Sequence, residues 1–430
     1  MKRALVLAGG GTKGAYEAGF LKALHELGIQ VDIVTGTSIG ALNGCLYAQG
    51  GYEDLQHLWD IMDVNQLFAG DFNEGFNFDI DDMLDQSNLV LSFFKKYIQE
   101  KGADITPLKN TMRNLLNEDQ LLTSPIDFGL CTVNYPSLKP LFITKNEMEK
   151  EYIFDYLVAS ASCFPVLPLC NIKENQYIDG GYYDNLPIDL AFEMGADEVL
   201  VVDMKYEGAT HPHYLNRPHV TYTRPYDDLG NFLDFDKNVI ERNRRLGYQV
   251  AMKKFGHFVG VRYTFEPFET EYFERFYREV LYIERSMRTM FKNDSRGNLI
   301  NKFMDSHKGE PLELNDYLYI TLDWFMELLD KDPSEVYCYE DIIQELLNVF
   351  DEYTHEDFQM ISLKGTEELL KSFKNVSKTG IIGTLFNGML HDEQDDSIDS
   401  FETLFSKEII MARFLYMLFQ DQKNKEKALL

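Results

Sequence analysis

Hydrophobic and polar positions in the first fifty residues trace one pattern twice. Residues 3–14 read RALVLAGGGTKG and residues 34–42 read VTGTSIGAL. In each, a short aliphatic or β-branched run leads into glycines and then into helix-period spacing, over 15–27 in the first case and 39–48 in the second. Strand, tight turn and helix are predicted both times. A helical pattern follows over 55–67, strands over 126–133 and 141–144, a helix over 151–161 and a strand ending at Tyr177 and Ile178. A helix over 186–194 and an unbroken apolar strand over 198–202 complete the series. Strands that alternate with helices and read as continuous apolar runs predict a largely parallel sheet covered on both faces.

Between these elements lie stretches of other kinds. Residues 70–85 are acidic and punctuated by glycine and asparagine, as in a loop. Residues 89–98, LVLSFFKKYI, fit either a core helix or a flap over an acyl-binding groove. A stretch rich in His, Pro, Tyr and Arg over 205–225 reads as a loop, and 233–254 as a long helix packing back on the first domain. From about Gly260 the periodicity is purely helical, over 272–291, 312–329, 340–353, 367–373 and 401–420. The chain is therefore expected to divide into domains at 1–259 and 260–430. The last helical stretch contains IIMARFLYMLF, but Arg413 and its charged flanks make it a packing helix in preference to a membrane anchor.

Composition narrows the classes. A length of 430 residues allows two or three domains, and a formal net charge of −29 argues against nucleic acid and against electrostatic recruitment to an anionic membrane. An apolar patch could still meet a lipid surface transiently. The N-terminal apolar run is too short for a signal peptide and ends in glycines, so it is read as a buried strand. No run of about 18 apolar residues marks a spanning helix. The five cysteines, Cys45, Cys131, Cys163, Cys170 and Cys338, are widely spaced without a C-x-x-C, which fits reduced thiols in a cytoplasmic protein.

Candidate chemistry sits in the two glycine turns. Gly36-Thr37-Ser38-Ile39-Gly40 matches G-x-S-x-G, in which a serine occupies a strained strand-to-helix bend beside the positive end of a helix. Ser38 as a plain helix N-cap is the bland alternative. Gly9, Gly10, Gly11 and Gly14 expose backbone N–H groups at a helix mouth, where an anion can bind. They also satisfy G-x-G-x-x-G with Asp32 downstream, so a dinucleotide site is a rival reading. A P-loop fits poorly, because Gly14 follows Lys13 where Ser or Thr is needed. Asp179, directly after a strand and before Gly180 and Gly181, is either a turn former or a carboxylate held at the sheet edge. His211, His213 or His219 could complete a Ser-His-Asp triad in the order of an α/β-hydrolase. The carboxylates at 79–82 lack the spacing of a calcium hand, so no metal is implied.

Four blocks in order, Gly9–Gly14, Gly36–Gly40, the Ala159–Ser162 region with Pro165, and Asp179–Pro187 including Asn185, resemble the patatin-like phospholipase family. The resemblance covers roughly residues 1–254. It implies a three-layer α/β/α hydrolase with a mainly parallel sheet, no cofactor, and a lipid ester as substrate. It further implies Ser38 and Asp179 as a catalytic dyad, with Gly9, Gly10, Gly11, Thr12, Lys13 and Gly14 around the oxyanion and Gly36, Gly40, Gly180, Gly181 and Asn185 supporting the motifs. Lys13 stands where the family often has arginine, which keeps a cation but loses its planar fork. Head group, acyl length, oligomeric state and the role of the helical part are not readable from the sequence.

Overall fold

The computed structural model describes residues 1–62, 105–290, 299–308, 310–355, 377–391 and 405–429. The stretches 70–85, 89–98 and 367–373, and the carboxylates at 79–82, lie outside the described residues. Two compact units are present, Met1–Phe255 and Gly256–Leu430.

In the first unit the strands are β1 Arg3–Leu7, β2 Ile33–Thr37, β3 Asp127–Tyr135, β4 Lys139–Thr144, β5 Cys170–Ile172, β6 Asn175–Asp179, β7 Glu198–Val202 and β8 Val220–Thr223. They form one sheet in the order β5-β6-β3-β2-β1-β7-β8, with β4 also paired to β3. β3, β2, β1, β7 and β8 run parallel, while β4, β5 and β6 are antiparallel to their neighbours. The helices are α1 Gly14–Glu26, α2 Ile39–Ala48, α3 Tyr52–Ile61, α4 Thr106–Leu115, α5 Glu118–Thr123, α6 Ile153–Ser160, α7 Ile188–Glu193 and α8 Lys237–Lys254.

Helices cover both faces, and two neighbouring residues of β3 show it. A Cβ at Gly44 of α2 would meet Val34, Leu7 and Phe128, whereas one at Gly129 would meet Leu190 of α7 and Met194. Successive strand residues point to opposite faces, so Phe128 and Gly129 assign α2 and α7 to opposite sides of the sheet. The result is the expected three-layer α/β/α arrangement around β1 and β2, whose residues are almost wholly buried. α8 lies against α1 at backbone distance: a Cβ at Gly19 would come 1.9 Å from the Arg244 carbonyl, and one at Gly247 1.8 Å from that of Tyr16.

Two sequence expectations need correction here. The loop expected over 205–225 contains β8, four residues that extend the sheet by pairing with β7, because Val-Thr-Tyr-Thr favours strand despite the surrounding prolines. The helix expected from 233 starts only at Lys237, since Asp236 caps it by accepting the Asn238 N–H at 2.7 Å.

The second unit holds α9 Tyr272–Met290, α10 Leu299–Ser306, α11 Asp316–Leu328, α12 Tyr339–Val349, α13 Lys378–Leu390 and α14 Ser406–Leu429. Phe276, Phe303, Phe325, Phe350, Phe386 and Phe414 fill its core. It also has a two-residue parallel pair, β9 Thr264–Phe265 and β10 Val336–Tyr337, which the helical periodicity concealed. Among the described residues, no helix is long and apolar enough to cross a membrane.

Candidate active site

β1 and β2 are adjacent and parallel, with Leu7 opposite Gly36, so the turns that follow them emerge side by side. Both lie at the carboxyl edge of the strands, where open α/β sheets bind ligands. Ser38 occupies the second turn with φ 54° and ψ −124°, a left-handed conformation that β-carbon-bearing residues rarely hold. The bend needs its glycines: a Cβ at Gly36 would come 2.5 Å from Gly40 backbone, and one at Gly40 2.5 Å from the Ala8 carbonyl. Ser38 makes no side-chain cap to α2, so its hydroxyl is not spent as an N-cap. Its own N–H donates to Ser160 Oγ at 3.0 Å, and Ser160 Oγ donates to the Cys131 carbonyl at 2.7 Å.

Asp179 reaches the same spot from the opposite direction. β4 pairs with Gly129–Asn134 of β3 and so occupies one edge of it; β2 and β6 share the other edge. Thr37, the last residue of β2, faces Cys131, and Asp179, the last of β6, faces Thr132. The two strands therefore end head to head on consecutive residues of one ladder. This register closes a sequence separation of 141 residues (179 − 38).

Asp179 is buried, 6% exposed as a residue. Burial raises its pKa from 3.8 to about 6, opposed by the Gly181 N–H and by the Ser38 side chain, each acting as a hydrogen-bond partner that favours the ionised form. The Gly181 bond is 2.7 Å. Asp179 N–H donates to the Ser162 carbonyl at 2.9 Å, which fixes the backbone.

The 179–187 segment is laced to both turns. Asn185 Nδ2 donates to the Gly9 carbonyl at 2.9 Å and Gly9 N–H donates to the Asn185 carbonyl at 3.0 Å. Thr37 Oγ1 donates to the Asp184 carbonyl at 2.8 Å. These bonds sort the glycine-turn donors. The N–H groups of Gly9, Thr12, Lys13 and Gly14 already serve protein carbonyls, those of Asn185, Phe232, Gly10, and Gly11 with Thr12, respectively. Among the described residues, Gly10 and Gly11 N–H have no such acceptor and border the cavity beside Ser38.

That cavity holds about 340 Å³ and opens on Ser38, Asp179, Gly10, Gly11 and Ile39. Its walls are otherwise mostly apolar: Leu42, Leu58, Trp59, Met62, Ile105, Leu108, Met112, Leu167, Phe232, Leu233 and Phe235. The Phe232 segment is held by the glycine turn itself, through Thr12 N–H to the Phe232 carbonyl at 2.8 Å. Gly11 has to be glycine there, with φ 57° and a Cβ position 2.0 Å from that carbonyl. Ser160 falls in the Ala159–Ser162 block of the resemblance, which gave it no role, and the Phe232 segment carries no motif.

The patatin-like phospholipase family model matches residues 5–192, a span that takes in both turns and Asp179. Over these residues the chain is similar to the patatin-like phospholipase family. Curated relatives agree: the chain is 30% identical over 200 residues to "Lysophospholipase nte1" of Aspergillus terreus, covering 46% of this chain and 12% of that protein. It is also 30% identical over 204 residues to "Patatin-like phospholipase domain-containing protein 7" of Mus musculus, covering 47% of this chain and 13% of that protein. The chain thus spans a small fraction of these relatives' length. Among solved structures, VipD from Legionella pneumophila aligns over 96% of this chain and 91% of its own at 13% identity and a TM-score of 0.38, too distant to bear on the site.

Within the first unit the two rivals lose their support. Asp32 precedes β2 and accepts the Arg3 N–H at 2.8 Å, so it stands at the opposite end of the strands from the glycine turn, where no ribose on that turn could reach. His211 contacts Asp184 Oδ1 at 3.1 Å through Nε2, and the cavity lining includes no histidine among the described residues.

Proposed function

We propose that the patatin-like domain is a serine acyl hydrolase acting on carboxyl esters of lipids, phospholipids or lysophospholipids, with Ser38 as nucleophile and Asp179 as base. The observation that carries this reading is the convergence of a strained serine and a buried, raised-pKa aspartate at the mouth of an apolar cavity. A carboxylate with its pKa near 6 is ionised at neutral pH yet far more basic than an ordinary aspartate. It accepts the Ser38 proton as Oγ attacks the ester carbonyl. The carbonyl oxygen becomes an oxyanion beside the free Gly10 and Gly11 N–H groups, each such donor supplying on the order of 3 kcal/mol to the transition state. The intermediate collapses as the alcohol leaves with the proton from Asp179. Water then attacks the acyl-serine, Asp179 takes its proton and returns it to Ser38 Oγ, and the fatty acid is released.

The apolar walls would hold the acyl chain while the head group stays outside. Free thiols at all five cysteines fit a cytoplasmic setting, and delivery of the substrate implies transient contact with a lipid surface. The test is a panel of acyl esters with a fluorophosphonate probe. Wild-type protein is expected to turn over and label; Ser38→Ala is expected to do neither, and Asp179→Asn to lose about 10²- to 10⁴-fold in kcat. A folded wild-type protein that does not label would refute the proposal.

A further inference from the structure

We propose that Glu17 is a positioning residue, the anchor of a buried run of hydrogen bonds that sets the glycine turn against the serine's helix and the cavity wall. This rests on the hydrolase reading above and deepens it. Glu17 lies on α1 and is 0% exposed, as is Asn43 on α2. Glu17 Oε2 accepts from Asn43 Nδ2 at 2.9 Å. The Ala8 backbone also favours the ionised form of the Glu17 carboxyl. Ala8 directly precedes Gly9, so the Glu17 carboxyl adjoins the strand end from which the Gly10 and Gly11 donors project.

Asn43 carries the connection onward. Its Nδ2 also donates to the Gly14 carbonyl at 3.1 Å, and its Oδ1 accepts from Trp59 Nε1 at 3.0 Å. With both hydrogens directed at acceptors and its oxygen at an indole, the amide has one workable orientation. Trp59 lines the cavity, and α2 begins immediately after Ser38. One run of bonds therefore joins the oxyanion donors, the nucleophile's helix and the acyl wall. Gly14 lets the two helices approach this closely, since a Cβ there would come 2.5 Å from Ile39 Cγ1 and 3.1 Å from Asn43 Nδ2.

The chemistry asked of Glu17 is specific. Its Oε1 is buried without a partner, so the site uses one acceptor oxygen and not a charge. Burial pushes the carboxyl well above the ordinary glutamate range, against the bonds from Asn43 and Ala8. An amide offers the same single oxygen; a leucine offers none and strands one buried Asn43 N–H.

The experiment compares kcat and KM for a soluble ester, and the fluorophosphonate labelling rate, in wild type, Glu17→Gln, Glu17→Leu and Trp59→Phe, each shown to melt cooperatively above the assay temperature. Glu17→Gln is expected to stay within about threefold of wild type. Glu17→Leu is expected to lose about 10- to 100-fold in kcat and in labelling with KM little changed, the scale of a misplaced reacting group. If Glu17→Leu does not fold, Trp59→Phe decides, because it removes one N–H from the same run; it is expected to lower kcat and the labelling rate severalfold, and an unchanged kcat overturns the inference. Equal kcat in Glu17→Leu and wild type, or a loss shared by Glu17→Gln, also overturns it. Wild-type protein that neither turns over nor labels removes the hydrolase reading instead, and this inference with it.

Discussion

The raised pKa of Asp179 makes a quantitative claim about how rate depends on pH. If this carboxylate is the base, kcat/KM follows its ionised fraction. With the pKa displaced from 3.8 to about 6, roughly nine tenths of the groups are ionised at pH 7 and about one tenth at pH 5. Activity should therefore fall about tenfold between those values and rise to a plateau above pH 7. An aspartate at its ordinary value would stay more than about 90% ionised at pH 5 and give no such limb. The assay is kcat/KM for a short, soluble, non-ionising ester across pH 4.5–8.5, with the fold checked at each pH by circular dichroism. An imidazole titrates in the same region, so the profile is repeated on a protein with His211, His213 and His219 all changed to alanine. The same acid limb should persist. A midpoint near 4, a flat profile, or a limb that vanishes with the histidines would refute the assignment.

The same burial has a cost in stability, because the folded-state pKa of Asp179 lies above the unfolded one. Its contribution is most favourable below about pH 4 and declines as pH rises through about 6, by up to about 3 kcal/mol for a shift of this size. Urea melts should accordingly show Asp179→Asn more stable than wild type at pH 8, with the gap closing near pH 4; an equal gap at both values would be wrong for this cause. Gly40→Ala should destabilise by about 1–3 kcal/mol and impair activity, since its Cβ falls 2.5 Å from the Ala8 carbonyl and the Ser38 bend has to open; unchanged melting would contradict the geometry. Gly247→Ala should cost a similar amount at the α1–α8 contact while leaving the KM of the surviving folded protein near wild type, as denaturant melts and steady-state kinetics can show.

Much of the site was legible because its residues answer backbone demands. Glycines at 36 and 40 are there because carbonyl and amide atoms occupy the space of a side chain, and that need leaves a spacing in the sequence. The meeting of Ser38 with Asp179 left no such trace; it depends on strand register, and only the resemblance to a family placed the two together beforehand. The cavity wall was misread in part for a related reason. Leu233 and Phe235 run directly into the helical pattern that follows, yet they precede the cap at Asp236 and line the cavity instead. Their apolar character signals burial without saying against what. Helix α13 escaped notice because Gly380, Gly383 and Gly388 weaken its propensity. Gly383 lies against the Tyr353 ring, where a Cβ would come within 2.1 Å, so tertiary packing outweighs that local penalty.

The shared edge of β3 has a further consequence for variation. Because nucleophile and base are aligned by which β3 residue each strand end faces, most side-chain exchanges along these strands leave the pairing alone, but a single residue gained or lost between Cys131 and Thr132 would slide one partner by about 3.3 Å and turn it over. In this short interval the register itself fixes the length of the chain, whatever letters it carries.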